Sequence, residues 1–198
     1  MTHSAGRRLS TVDIVRCGLF TALIAVGAFI KIVLPVGPFM VTVSMQVFFA
    51  TLAGLLLGGP LGLFSGVAYL VLGLVGVPIF AHGGGLGYLA RPTFGFLIGF
   101  AAAAWLSGTV AGRLRRFDWG RGVRGDIVAA LCGVAAYFAC GLAYYYVAFN
   151  FILPNTGGIG LRELFVVWLL STIVPDNAIG LLAAVLASRL RPLLKARR

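Results

Sequence analysis

The sequence alternates long apolar stretches with three clusters of basic residues. The clusters lie near the start, in the middle and at the end of the chain: Arg7, Arg8 and Arg16; Arg113, Arg115, Arg116, Arg121 and Arg124; and Arg189, Arg191, Lys195, Arg197 and Arg198. About 20 apolar residues suffice for a helix to cross a bilayer. Hydrophobic residues make up 60% of the chain and charged residues 11%, whereas about a quarter of a soluble domain is charged. These features exclude an ordinary cytosolic enzyme and predict a polytopic membrane protein.

The basic clusters also predict the orientation of the chain. Because basic loops stay in the cytoplasm, both termini and the central loop should face inside, and each half should hold an even number of spans. This topology accounts for the net charge of +11, so we expect no nucleic-acid partner. We predict an all-α fold of six transmembrane helices in the cell membrane, with spans over 14–34, 41–57, 61–77, 93–112 and 127–153 and a last one ending near residue 187. Residues 1–198 form a single membrane domain, with a cytoplasmic tail at 1–13, a helical bundle at 14–190 and a basic cytoplasmic tail at 191–198.

The last third of the chain allows two interpretations, because Pro175 and Asp176 interrupt its apolar sequence. One is a single span kinked at Pro175, with Asp176 near the middle of the membrane. The other, which we favour, is a short helix over 161–173 in the outer leaflet, followed by a final span that starts at Asp176 as its N-cap. Elsewhere, proline and glycine predict an outer turn at 35–38, an inner turn at 58–60 and an outer loop over 78–92.

Several enzymatic signatures are missing from the sequence. It contains no G-x-x-x-x-G-K-[ST] phosphate-binding loop, so the chain cannot hydrolyse ATP by that mechanism. Its two histidines, His3 and His82, leave few candidates for acid–base catalysis. The spacing of cysteine and histidine suggests no metal site. We therefore expect no enzymatic activity, no metal ion and no cofactor.

Ionisable residues inside the membrane are costly and point to function. Four lie toward the outer half on the predicted topology: Lys31, Arg91, Glu163 and Asp176. Lys31 fits a side chain that reaches back to the interface, and Glu163 fits a surface helix. Arg91 and Asp176 form either a mutual ion pair or part of a ligand site.

Further polar and aromatic residues accompany this acid and base toward the outer side. They are Ser44 and Gln46 in span two, Tyr69 in span three, Tyr88 in the outer loop, and Tyr144, Tyr145 and Tyr146 in span five. The tyrosines fit either a ligand site or an ordinary interfacial belt. Together these residues predict an outward-facing, partly aromatic pocket for a small ligand with a carboxylate.

The first span carries small residues at helical spacing, namely Gly18, Thr21, Ala22, Ala25 and Gly27. Small residues allow membrane helices to approach closely. This face predicts either packing inside the bundle or docking to another membrane protein.

The stretch from residue 41 to 99 resembles the BioY family, the biotin-binding S components of energy-coupling factor transporters. The resemblance rests on Val-Thr-Val-Ser-Met-Gln at 41–46, Leu-Ala-Gly-Leu-Leu-Leu-Gly at 52–58, Gly-Val-Pro-Ile-Phe at 76–80, the glycine-rich run Gly-Gly-Gly-Leu-Gly at 83–87, and Pro-Thr-Phe-Gly-Phe-Leu-Ile-Gly at 92–99. It implies a six-helix protein that captures biotin from outside and works with a transmembrane coupling protein and two ABC-type ATPase subunits. It also implies that Gly18, Ala22 and Ala25 dock to the coupling protein, and that Asp176 receives the ureido group of biotin.

On this resemblance we assign roles within the predicted pocket. Asp176 accepts hydrogen bonds from the ureido N–H groups and Arg91 receives the carboxylate. Gln46 and Ser44 bind the remaining polar edge, and the tyrosines, among them Tyr69, Tyr88 and Tyr145, cover the apolar ring.

Three rival hypotheses stay open. Ile179 stands where the family usually has a lysine, which allows another vitamin-like acid such as lipoate or dethiobiotin. A membrane-embedded enzyme that acts on lipid would need Glu163 and His82 as its acid–base pair. A purely structural membrane subunit would bind no ligand.

Overall fold

A computed structural model describes residues 10–36, 39–152, 160, 162 and 170–195. These residues contain six α-helices: α1 (Thr11–Gly27), α2 (Gln46–Leu57), α3 (Gly59–Leu74), α4 (Phe94–Leu114), α5 (Val123–Val147) and α6 (Leu170–Lys195). Two strands, β1 (Lys31–Val36) and β2 (Phe39–Ser44), lie between α1 and α2. Short 3₁₀ helices occupy Leu86–Ala90 and Asp118–Gly120, and a π-helical segment, Ala148–Ile152, follows α5.

The two strands correct the prediction for the first two spans. Helix α1 ends at Gly27 and α2 begins at Gln46, so helix was wrongly predicted for most of the sequence between them. The strands pair antiparallel, with Lys31 opposite Ser44. β-Branched residues favour strands, and an apolar run alone cannot distinguish a strand from a buried helix. The fold is therefore mostly helical with one β-hairpin, rather than all-α.

Helix α6 corrects the prediction for the last span. The described helix includes Leu170 and runs through Pro175 and Asp176, so Asp176 is not its N-cap. Proline removes one backbone hydrogen bond, but neighbouring helices and local adjustments make it tolerable in membrane helices. The helix continues to Lys195, beyond the predicted end. Most of the short helix predicted over 161–173 lies outside the described residues.

Three helices of the described chain are long and apolar enough to cross a membrane. They are α4, the segment Val123–Phe151 that contains α5, and the segment Thr172–Pro192 of α6. Helices α2 and α3 are apolar but shorter. The predicted turn between them is confirmed, because Gly58 has a φ of 90° that favours glycine and α3 begins at the next residue.

Helix α4 lies at the centre of the bundle. It packs against α2, α3 and α5, while α6 packs on α5 and α2, and α1 packs on α2 and α3. Glycines allow α2 and α4 to touch backbone to backbone. A Cβ atom at Gly54 would lie 2.1 Å from the Ala104 carbonyl oxygen, and one at Gly108 would lie 2.5 Å from the Gly54 carbonyl oxygen.

The helix directions separate two ends of the bundle. The first residues of α2 and α4 and the last residues of α5 lie at one end, near the β-hairpin and the loop that follows α3. The last residues of α4 and α6 and the first residues of α5 lie at the other, where arginine side chains meet. We call these the hairpin end and the arginine end.

Candidate ligand-binding site

Gln46 is the centre of a hydrogen-bonded chain at the hairpin end. Its amide nitrogen donates to the Tyr69 hydroxyl over 2.6 Å, and its amide oxygen accepts from the Ser44 hydroxyl over 3.2 Å. The Tyr69 hydroxyl in turn donates to the Ile79 carbonyl over 3.3 Å. Gln46 is 3% exposed and Tyr69 is fully buried. The orientation of the Gln46 amide is therefore fixed by partners on both sides.

A small cavity of about 60 Å³ adjoins this chain. Its walls combine polar groups from the hairpin and loop with aromatic rings from α4 and α5. Among its lining residues are Ser44, Gln46, His82, Tyr88, Phe96 and Tyr137. A more open cavity of about 440 Å³ shares Thr42, His82 and Thr93 with the first and reaches Arg91 and Tyr145. The structure thus brings five of the predicted residues, Ser44, Gln46, Tyr88, Arg91 and Tyr145, around two adjoining cavities.

Arg91 lies at the open side of this site. Its side chain is exposed, and its guanidinium carbon lies 5.2 Å from the centre of the Tyr88 ring, within cation–π range. The Tyr88 ring packs edge-on against Phe80, with 4.8 Å between centroids. Among the described residues, no ion pair joins Arg91 to Asp176. The mutual ion pair, which was one of the two predicted alternatives, is therefore not observed.

Asp176 is buried on α6, with 2% of its surface exposed. Its Oδ2 atom has no hydrogen-bond partner among the described residues. Asp176 lines neither cavity, but it interacts electrostatically with Tyr137, which lines the small one. A buried oxygen without a donor is costly, so this carboxyl group is an acceptor that the described residues do not satisfy.

The mouth of the site is electropositive. The Lys31 ammonium donates to the Ala81 carbonyl over 2.5 Å and so links the hairpin to the loop. Partial burial, and then the charges of Lys31 and Arg91, lower the pKa of His82 below its usual 6.5. Burial also raises the pKa of Tyr88. At neutral pH the mouth therefore holds two cations beside a neutral imidazole, a charge distribution that attracts an anion.

Two predicted residues have roles that the sequence did not indicate. Tyr69 lines neither cavity and instead holds Gln46 in place. Tyr145 is buried and stacks on Phe149, with 4.7 Å between ring centroids. Conversely, sequence reasoning missed Tyr137 and did not place His82 in the ligand site. A lone tyrosine in the middle of span five was the available signal for Tyr137, but the three consecutive tyrosines drew the prediction away from it.

The small residues of α1 divide between two faces. Thr21 is buried, and its hydroxyl donates to the Ser65 carbonyl of α3, while a Cβ atom at Gly27 would lie 2.9 Å from the Gln46 backbone nitrogen. Gly18 and Ala22 are exposed, and together with Ala25 they line an apolar groove of about 580 Å³ between α1 and α3. A Cβ atom at Gly18 would meet nothing within 4 Å. Gly18 and Ala22 therefore face away from the bundle, while Ala25 is partly buried and also packs against the core.

A second buried acid, Asp126, lies at the arginine end, and sequence reasoning did not single it out. It binds Arg115 at 3.0 Å and Arg191 at 2.9 Å. Both arginines also donate to the Leu55 carbonyl, over 3.1 and 3.2 Å. The cluster ties together α2, α5, α6 and the residue that follows α4. The chain contains five acids in all, and an acid close to the central basic cluster was the signal that could have found it.

Comparison with known proteins gives consistent results. A model of the BioY family matches residues 1–196. A probable biotin transporter BioY of Lysinibacillus sphaericus is 40% identical over 93% of this chain and 89% of the relative. One of Pyrococcus horikoshii is 33% identical over 87% and 92%. A crystal structure of the S-component for biotin from an ECF-type ABC transporter has a TM-score of 0.72 at 24% identity, over 97% of this chain and 95% of the other.

Proposed function

Because this chain belongs to the BioY family, we propose that it is the S component that captures biotin for an energy-coupling factor transporter. It lies in the cell membrane as six spans with both termini in the cytoplasm. The arginine end faces the cytoplasm, as basic segments do, and the hairpin end faces outside. The protein is a transporter subunit, not an enzyme.

The observation that carries the ligand assignment is the buried, unsatisfied acceptor on Asp176. Biotin offers two ureido N–H groups, which match a carboxylate acceptor. Hydrogen bonds to a charged acceptor are roughly twice as strong as neutral ones. Gln46 and Ser44 bind the rest of the polar edge, and Arg91 receives the valerate carboxylate at the mouth. Tyr88, Tyr137 and Tyr145 provide aromatic surface for the apolar ring.

The cavity volumes indicate that the site must open for the ligand to bind. Small-molecule sites typically measure about 300–1,000 Å³, whereas the smaller cavity measures about 60 Å³. The adjoining cavity of about 440 Å³ provides the missing room at the mouth. Biotin binding therefore requires the shared wall of Thr42, His82 and Thr93 to move, so that the ring reaches toward Asp176 while the carboxylate stays near Arg91.

Replacing Asp176 by Asn tests the assignment. The amide places a donor where an acceptor is needed, so biotin affinity should fall ten-fold or more, as measured by isothermal titration calorimetry on purified protein. Asp118→Asn is the matched control, because Asp118 is exposed and pairs only with Arg121 among the described residues. Unchanged affinity in the Asp176 variant would remove the acid from the site.

The transporter partners are a transmembrane coupling protein and two ABC-type ATPase subunits, which supply the energy that this chain cannot. The groove lined by Gly18, Ala22 and Ala25 docks to the coupling protein, because its small residues let a partner helix approach closely. Gly18→Leu should reduce co-purification of the coupling protein while leaving biotin binding intact, since a Cβ atom at Gly18 would meet no atom of the described residues within 4 Å. Ala135→Leu, at an exposed position of α5, is the control.

One feature favours a second candidate ligand. Ile179 is partly buried and packs against the aromatic cluster at the hairpin end, where the family usually has a lysine. An apolar residue beside Asp176 suits lipoate or dethiobiotin. Competition of both acids against biotin on purified protein separates the candidates: biotin should bind tightest, and a ten-fold preference for lipoate or dethiobiotin would reassign the ligand.

A further inference from the structure

A groove of about 450 Å³ opens at the arginine end, far from the ligand site. It runs between α1, α2 and α6. Its walls are apolar, with Leu19 and Leu23 from α1 and Leu52 and Leu56 from α2. Its remaining lining includes three arginines, Arg16, Arg115 and Arg191.

The arginines of this groove carry more positive charge than the described acids that pair with them neutralise. Arg115 and Arg191 share the single carboxylate of Asp126, and Arg16 forms no ion pair with any acid in the described ranges. Three guanidinium groups against one carboxylate leave a net charge of +2. In addition, the buried Nε atoms of Arg115 and Arg191 have no hydrogen-bond partner among the residues that the structure describes.

We propose that this groove binds an anionic diacyl phospholipid, with the phosphate beside the three arginines and one acyl chain along the leucine wall. Guanidinium groups bind phosphate through paired, charge-assisted hydrogen bonds. The leucines offer an apolar surface that an acyl chain covers, and the arginines lie at the end of the bundle where lipid headgroups lie. A polar rim beside an apolar wall matches an amphiphile, and the excess positive charge selects an anionic headgroup. Anionic lipids are also enriched in the cytoplasmic leaflet, which this end faces.

Native mass spectrometry of the full chain in detergent tests the proposal. The protein is titrated with phosphatidylglycerol or with phosphatidylcholine of the same acyl chains. Phosphatidylglycerol should bind at least about five-fold more tightly, since each arginine near anionic lipid contributes roughly that factor. Equal binding of the two lipids would overturn the proposal.

Two variants locate the site. Arg16→Gln should lower phosphatidylglycerol affinity about five-fold, and Leu19→Trp should lower it by filling the groove. Arg16 lies outside the Asp126 cluster and Leu19 is 57% exposed, so neither change disturbs the fold. Arg113→Gln is the matched control, because Arg113 is exposed at the same end and does not line the groove. Equal losses in the Arg16 and Arg113 variants would show general surface charge instead of a site.

The same variants distinguish other occupants. Inorganic phosphate is titrated in the same way. If phosphate bound and its binding depended on Arg16, while phosphatidylglycerol did not bind, the groove would be an anion site and the lipid proposal would fail. If Arg16→Gln kept lipid binding but lost the coupling protein, the groove would be a protein interface and the proposal would also fail. Biotin affinity of the Arg16 variant should stay unchanged, which keeps this test independent of the ligand site.

Discussion

Asp126 and Asp176 are buried aspartates at opposite ends of the bundle, and they differ in their hydrogen-bond and charge partners. Asp126 is fully buried and accepts hydrogen bonds from two arginines, which also bind the Leu55 carbonyl. Asp176 is as well buried, but no cation of the described chain pairs with it and one oxygen has no donor. An acid with its counter-charges in place holds helices together. An acid without them costs stability, and its retention is explained when a ligand supplies the donors.

The largest expected effect is a loss of stability when the acid at the arginine end is removed. Asp126→Ala leaves two guanidinium groups side by side without their counter-charge, and breaking a buried ion pair in this way costs about 3–5 kcal/mol. Thermal unfolding in detergent, followed by circular dichroism, should show a large drop in Tm. An unchanged Tm would mean that the cluster does not stabilise the bundle. The exposed pair of Asp118 and Arg121 provides the control, because Asp118→Ala should change Tm little.

The opposite change in stability is expected when the acid at the hairpin end is removed. Asp176→Leu removes a buried acceptor that lacks a partner, and relieving that cost should leave the ligand-free protein as stable as before or more stable, by about 1–3 kcal/mol. The same Tm measurement without biotin checks this. Biotin should raise the Tm of the parent protein but not of the variant. A clear loss of stability in the ligand-free variant would make Asp176 a structural residue like Asp126.

A smaller effect concerns Arg91, the exposed cation at the mouth. Arg91→Gln removes the proposed partner of the biotin carboxylate, so affinity should fall about ten-fold, or about 1.4 kcal/mol. Biotin methyl ester is the matched probe, because it lacks the negative charge and should bind the parent and the variant equally. Equal losses for acid and ester would show that Arg91 shapes the mouth through Tyr88 rather than binding the carboxylate.

The smallest expected effect is a pH dependence from His82. Its pKa in the free protein is lowered by partial burial, Lys31 and Arg91, so the imidazole is neutral at pH 7. A bound carboxylate favours the charged imidazole and raises that pKa, so the complex takes up a proton. Biotin affinity should therefore increase about two-fold as the pH falls from about 7.5 to about 6. Calorimetry at both pH values checks this, and the increase should disappear in His82→Gln.

The sequence predicted which residues gather at one end of the bundle better than it predicted the shape of the cavities there. Apolar length and the basic clusters led to a helical membrane protein, and Ser44, Gln46, Tyr88 and Arg91 do meet at one end. Residues 28–34 and 41–45 were wrongly assigned to helices, because a short apolar run fits a strand as well as a helix. The hairpin places Ser44 next to Gln46 and Lys31 next to the loop, so the error concerned residues that build the mouth.

The contacts of the buried acids were not predictable for a different reason. Asp126, Arg115 and Arg191 are brought together by three helix ends, and pairs so far apart in sequence leave no local pattern. The role of Tyr69 likewise depends on the distance between α2 and α3, which is set by packing. A sequence identifies costly polar residues in apolar stretches, but only the packed bundle shows which of them already have partners.

The backbone contact of α2 with α4 at Gly54 and Gly108 limits how this protein can move. At these two glycines the main chains of the helices touch directly, and only the small Ser107 side chain, which donates to the Thr51 carbonyl, lies beside the contact. A shift of one helix along the other would therefore bring main-chain atoms into collision. We therefore expect α2 and α4 to stay fixed relative to each other and a ligand to enter by displacing the β-hairpin and the loop that follows α3. Among the described residues, the Lys31 ammonium links the hairpin to the loop through the Ala81 carbonyl, so we expect opening of the site to break this hydrogen bond.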